Sequence, residues 1–240
     1  NGRLWTTMSE QASVSSDGIR RLWTKLAVNN IEETRMNPEF IELVERYDTY
    51  KQCADALIDR LETCLQQNQA VIIKGKVDAE PGENPYEKLA SSLALFYTYL
   101  PTDRHASIIA AISASKVLAN VQRNFQINGR KAIRHLRRFF AIEYKQCMDE
   151  RTKLDKSRNH MDHIKHEVKM SKTTEKIEKY ATLYEQAVSD FDAQANRVLI
   201  KLNQLPKIKL AHERDIIEYW TCLQHFHGES AKAIAAARIQ

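Results

Sequence analysis

Residues 129–179, GRKAIRHLRRFFAIEYKQCMDERTKLDKSRNHMDHIKHEVKMSKTTEKIEK, decide the fold. Apolar side chains recur there at every seventh position: Ile133, Phe140, Cys147, Leu154, Met161 and Val168. Such a repeat marks a long helix that buries a narrow seam against other helices. The same stretch carries a charge pattern. From Arg130 to Lys179 there are 15 Lys and Arg against 8 Asp and Glu, a net of +7. The whole chain holds 36 and 31, which leaves 21 and 23 elsewhere, a net of −2. The positive excess is therefore confined to this stretch. Its reading is a stiff helix, apolar along one side and basic along another, suited to an anionic surface.

Working outward, breakers are scarce. The 240 residues hold 6 Gly and 5 Pro, well under the roughly 7% and 5% of globular chains, so the elements must be few and long. No Pro occurs between Pro101 and about Met170, and Gly129 is the one Gly there. A helix of about 65 residues would be roughly 100 Å long, which points to a coiled coil or an elongated bundle. Upstream, Asn37-Pro38-Glu39 is a helix start with Asn as cap and Pro at the first helical position. A three-and-four stripe follows from Phe40 to Cys64. Residues 68–85 interrupt it with Gly75, Pro81, Gly82 and Pro85, too many breakers for a regular helix. Within this insert Val71, Ile72 and Ile73 sit beside Lys74 and Lys76, and either tuck into the body or meet a partner. Helix resumes at Tyr86, and Pro101-Thr102-Asp103 ends it, with Thr or Asp as the next cap. After a polar turn at 171–174 the stripe runs from Ile177 to Leu205, and Pro206 is expected to kink it. The expected layout is an N-terminal segment at 1–36 and one domain at 37–240. The domain is an all-α antiparallel coiled coil of three long helices, about 37–100, 103–170 and 173–238. The aromatic-rich ends, Phe96 to Leu100 and Tyr219 to Phe226, are expected to be buried between subunits.

Near the N-terminus, Ile19, Leu22, Trp23 and Leu26 fall at i, i+3, i+4 and i+7, with Arg20, Arg21 and Lys25 pointing elsewhere. A short basic amphipathic helix of this kind lies in a membrane interface or packs on the body of the protein. Residues 1–18 are polar and carry no secretory signal, and a start without Met suggests a fragment. No run of about 18 apolar residues occurs to span a bilayer. Cys53, Cys64, Cys147 and Cys222 are widely spaced without a CxxC pair, which reads as buried free thiols in a reducing, cytoplasmic setting.

Chemistry-bearing motifs are sparse. There is no Gly-rich phosphate loop, nucleophile elbow or HExxH, and neither catalysis nor a cofactor is expected. His160, His163 and His166 could bring two ligands to a metal, but Arg158, Lys165 and Lys169 around them disfavour a cation, and no metal site is expected. Aromatic side chains lie in the apolar stripes rather than among the bases, which argues against nucleic acid. The bases remain. Arg130, Lys131, Arg134, Arg137 and Arg138 fill five of nine positions with no acid among them. Lys153, Lys156, Arg158, Lys165, Lys169, Lys172, Lys176 and Lys179 flank the turn, with acids intermixed. Near anionic lipid each such residue contributes about 1 kcal/mol.

Three stretches give these patterns a resemblance: LWTKLAVNNIEETRMNPEFIELVERYDTY, RHLRRFFAIEYKQCMDERTKLDKSRNHMDHIKH with its Leu154, Asp155, Lys156 and Arg158, and LNQLPKIKLAHERDIIEYWTCLQHFHGES. Together the chain resembles the BAR domains of the amphiphysin and endophilin type over roughly residues 19–238, more in helix length, turn position and charge layout than in an invariant motif. The resemblance implies a crescent-shaped homodimer without catalytic activity, a peripheral membrane protein that senses or generates curvature, as in endocytosis or trafficking. It places Arg130, Lys131, Arg134, Arg137, Arg138 and Lys145 on or near a lipid-binding concave face, and Lys153 to Lys179 toward a lipid-binding tip. Ile19, Leu22, Trp23 and Leu26 would match a segment that folds on the membrane. The insert is closer to the endophilin-like members, which would aim Val71, Ile72 and Ile73 at the bilayer. An alternative from another class stays open: a coiled-coil scaffold whose basic face binds an acidic protein or a small GTPase.

Overall fold

The structure is a computed structural model in which residues 33–237 are described. The expected amphipathic helix at 19–26 lies outside these residues. The described chain is helical: α1 (Pro38–Leu65), α2 (Gln69–Ile73), α3 (Pro85–Tyr97), a 3-10 turn (Thr102–Arg104), α4 (His105–Ala132), α5 (Arg134–Arg138), a π-helical turn (Phe139–Tyr144), α6 (Lys145–Met170), α7 (Thr174–Leu202) and α8 (Leu205–Ala236). The described residues divide into two compact units, 33–49 with 143–205 and 50–142 with 206–237.

In the first unit α6 packs along α7. Met161, Ile164 and Ala187 form its buried cluster, with Tyr184, Val188 and Phe191 against it. Cys147 and Leu154 are buried too, so the seven-residue seam Cys147–Leu154–Met161 is realised. Stacking of Tyr47 on Tyr144, with rings 6.0 Å apart, adds residues 38–49 of α1 to this unit. In the second unit Ala54, Leu65, Phe125, Ala132, Ile133, Leu136 and Tyr219 form the core, and α3 packs against α4. Gly129 serves a close approach: a Cβ there would collide with the buried Leu65 side chain.

The start of α1 is as expected, with Asn37 Oδ1 accepting from Glu39 N–H at 2.9 Å. Five details differ from expectation. The long central helix is not regular, because α4 stops at Ile133 (φ −88°, ψ 27°) and a π-helical turn follows. Leading into that turn the buried residues include Ala132 and Phe139, seven apart, while Phe140 is only partly buried. A wider i to i+5 turn absorbs the one-residue mismatch with the Cys147 register. Thr102 and Asp103 do not cap α4 but form the 3-10 turn, closed by Arg104 N–H on Pro101 O at 3.0 Å. The break after α7 falls at Asn203-Gln204, and Pro206 sits in the first turn of α8, where its missing N–H costs no helix bond. Tyr219 is in the core and Phe226 packs against it, so only part of the aromatic ends is available to another chain. Of the four free cysteines, Cys147 is buried while Cys53 and Cys64 are exposed. The expectation of four buried thiols fails at these two: the stripe runs to Cys64 in the sequence, but the buried position there is its neighbour Leu65, and Cys53 lies beside the buried Ala54.

Candidate functional site

Two basic regions and one apolar insert are the surfaces of interest. The first, residues 130–138, surrounds the break between α4 and α5. A helix restart leaves N–H groups without intrahelical partners. Asp215 of α8, 1% exposed, supplies the partner: it accepts from His135 N–H at 2.7 Å and Leu136 N–H at 2.9 Å, while its other oxygen meets His135 Nδ1 at 2.7 Å. A carboxylate at a helix start is favoured by the axial dipole as well as by the hydrogen bonds. Beneath it His212, also buried, meets Tyr50 Oη through Nδ1 at 2.7 Å, and burial raises the Tyr50 phenol. Nothing in the sequence separates Asp215 from a surface acid of an amphipathic helix, and it escaped the sequence reading.

The bases of this run are largely engaged within the same unit. Arg134 pairs with Glu218 at 3.1 Å and Arg137 with Glu62 at 3.0 Å. Arg130 donates to Gly75 O at 3.3 Å, and burial followed by the neighbouring Arg137 lowers its guanidinium below the usual range. Arg138 also has an interaction partner. Lys131 is exposed, as is Lys145 in the other unit. The run is thus acid-free in sequence but not in space.

The second region spans Lys153 to Lys179. Lys153 bonds Glu150 at 2.6 Å, and Glu150 also accepts from Gln194 of α7 at 2.8 Å. Those two hydrogen bonds hold the Glu150 carboxyl below its ordinary range. Arg158, 13% exposed at its side chain, pairs with Glu33 at 3.0 Å and Asp155 at 3.6 Å. Lys165 and Lys169 have interaction partners. Lys156, Lys172, Lys176 and Lys179 are exposed and form no ion pair among the described residues. Three of these four crowd the turn between α6 and α7, where Thr173 makes no side-chain cap. His160 and His163 are exposed and His166 half-buried, and no group of three or more metal-binding side chains occurs among the described residues.

The insert is built rather than loose. Gly75 (φ 71°) and Gly82 (φ 83°) take the left-handed conformation their turns need. Asn84 caps α3 by accepting from Tyr86 N–H at 2.8 Å, and Glu87 accepts from Asn84 N–H at 3.3 Å, a reciprocal capping box. Arg123 of α4 clamps the whole segment, donating to Glu87 at 2.8 Å, to Glu80 O at 3.0 Å and to Ala79 O. Gln66 donates to Val77 O at 2.9 Å. Of the three apolar residues singled out, Val71 is buried and Ile72 half-buried, while Ile73 is 66% exposed beside exposed Lys74 and Lys76. The second unit also exposes large apolar side chains on α3, α4 and α8, among them Leu95 (73%), Phe96, Ile109, Ile217 and Trp220 (61%), and on the following turn Tyr99 (84%).

The BAR domain family model matches residues 21–240, and the chain belongs to that family, whose members are non-catalytic membrane-binding modules. A solved BAR protein from Galdieria sulphuraria is similar in fold, with a TM-score of 0.57 at 15% identity over 85% of this chain and 97% of that one. No curated protein matches. Among the described residues no helix is long and apolar enough to cross a membrane.

Proposed function

We propose that this chain dimerises and binds anionic membrane peripherally, on the cytoplasmic side, and that it senses or generates curvature there. The observation that carries the reading is the set of exposed lysines at the α6–α7 turn, Lys172, Lys176 and Lys179, in a chain of this family. Ammonium groups without a protein counter-ion gain most from a negative surface, about 1 kcal/mol each. Arg134 and Arg137 contribute by exchange, since partly exposed ion pairs are worth about 0–1 kcal/mol and lipid phosphate can replace a glutamate. Ile73, next to Lys74 and close to Lys76, is the apolar side chain of the insert best presented for insertion. The exposed apolar side chains of α3, α4 and α8 suit a second copy of the chain, because patches of this kind are seldom left in water and dimer interfaces are more apolar than the remaining surface. Co-sedimentation with vesicles of graded anionic lipid content tests the reading. Binding should rise with anionic lipid and fall as salt shortens the screening length. Binding indifferent to both would contradict it. Light scattering should give twice the chain mass.

A further inference from the structure

The described chain begins at a fixed point. Thr34 N–H donates to Asp162 Oδ2 at 2.9 Å and its hydroxyl donates to the other oxygen of that carboxylate. Glu33 pairs with Arg158. Leu154, Arg158 and Asp162 stand at i, i+4 and i+8, on one face of α6. Glu33 and Thr34 are therefore held about 6–12 Å along α6 from Leu154.

At Leu154 there is a groove of about 180 Å³, lined by Met36, Phe40, Ile41, Val44 and Leu154, with Arg151 and Asp155 at its polar edge. It is below the roughly 300 Å³ at which small-molecule sites begin and suits one or two apolar side chains. Ile41 is 45% exposed on its lip. Arg151 is already bound to Asp48 at 2.8 and 2.9 Å. Burial pushes the Asp155 carboxyl above its ordinary range, so a further cation beside it would be favourable. Glu33 and Glu39 are also exposed nearby in sequence.

We propose that residues 19–26 of the same chain dock their apolar side, led by Trp23, into this groove when no membrane is present. Three features commit the occupant. Leu26 is seven residues from Glu33, a reach of up to about 23 Å, which exceeds the distance from the anchor to the groove. Of the apolar stripe Ile19, Leu22, Trp23 and Leu26, Trp23 alone or with one neighbour matches a groove of one or two side chains. Arg20, Arg21 and Lys25 complement the acids Glu33, Glu39 and Asp155. Groove and bilayer then compete for the same apolar side, Trp23 above all, and docking restrains membrane insertion. The competition rests on the membrane reading above; the docking does not.

Trp23 can report directly. In a W5F/W220F background it is the single tryptophan. Without lipid, its emission should be blue-shifted and its acrylamide quenching about threefold weaker than in the urea-unfolded chain. Ile41→Glu, at a partly exposed position, should restore strong quenching and raise vesicle affinity about three- to tenfold, since the docked fraction no longer reduces the competent population. Ile41→Ser should move both in the same direction by less, and helix content by circular dichroism should be unchanged in both variants. Trp23 quenched in the parent background as in urea overturns the docking. So does protection that survives Ile41→Glu, which places Trp23 elsewhere, or protection lost on dilution, which assigns it to a second copy. Absence of vesicle binding in every variant would overturn the membrane reading and the competition, while quenching still decides the docking.

Discussion

The basic run at 130–138 and the lysines at 172–179 look alike as charge but are used differently. In the first, Asp215, Glu218, Glu62 and the Gly75 carbonyl occupy the polar groups that the sequence presents. Its bases hold a helix restart, an insert and two helices in register. In the second, Lys172, Lys176 and Lys179 hold nothing among the described residues. Density of one charge sign along a chain therefore does not measure availability. The acids that engage Arg134 and Arg137 come from positions 84 and 75 residues away, where no local count includes them.

Substitutions separate the roles of the two regions. The largest effect should come from Asp215→Ala. It removes a buried acceptor of two N–H groups, so the second unit should lose about 2–3 kcal/mol. At this chain length that corresponds to a melting point lower by about 5–10 °C in calorimetry. A change within error would mean that the run 130–138 is not braced. Next, Lys172→Ala, Lys176→Ala and Lys179→Ala together should weaken vesicle binding by about tenfold to a hundredfold with a melting point shift of less than about 2 °C. Smaller again, Glu62→Gln with Glu218→Gln should strengthen vesicle binding by about two- to threefold, because Arg134 and Arg137 lose their competitors; weaker binding would make the pairs part of the site.

Two further effects are local to each unit. Hydrogen bonding by Arg123, then by the Gly82 and Asn84 N–H groups, holds the Glu87 carboxyl below its ordinary range. A carboxyl lowered in the folded state stabilises it above the unfolded value of about 4.3, and that contribution is lost as pH falls through the folded value. Glu87→Gln should therefore flatten the stability loss of the second unit below about pH 4.5, read by hydrogen exchange at α3. In the first unit, burial pushes the Cys147 thiol up to about 11. At pH 8 an alkylating reagent should modify exposed Cys53 and Cys64 first and leave Cys147 intact until unfolding.

Much of the architecture was legible in the sequence because it rests on periodicity. The Cys147, Leu154 and Met161 seam, the Asn37-Pro38 start, the breaks near 101 and 172 and the insert were all written in local pattern. The π-helical turn was not, since it answers a one-residue mismatch between two registers that each look regular alone. Asp215 was not, since a buried cap supplied from 80 residues away has the local signature of any helix-surface acid. For the candidate site, residue type and rough position were legible. What local pattern did not carry is that Glu218 and Glu62, distant in the sequence, pair Arg134 and Arg137 in space.

The central claim is that lipid affinity resides more in the unengaged lysines of the α6–α7 turn than in the braced run at the α4–α5 break. Vesicle co-sedimentation of the Lys172, Lys176 and Lys179 triple alanine variant beside the Arg134 and Arg137 double alanine variant, at one salt and lipid composition, tests it most directly. The account predicts the greater loss per residue removed for the lysine variant. A greater loss per residue for the arginine variant, with its fold intact by circular dichroism, would contradict it.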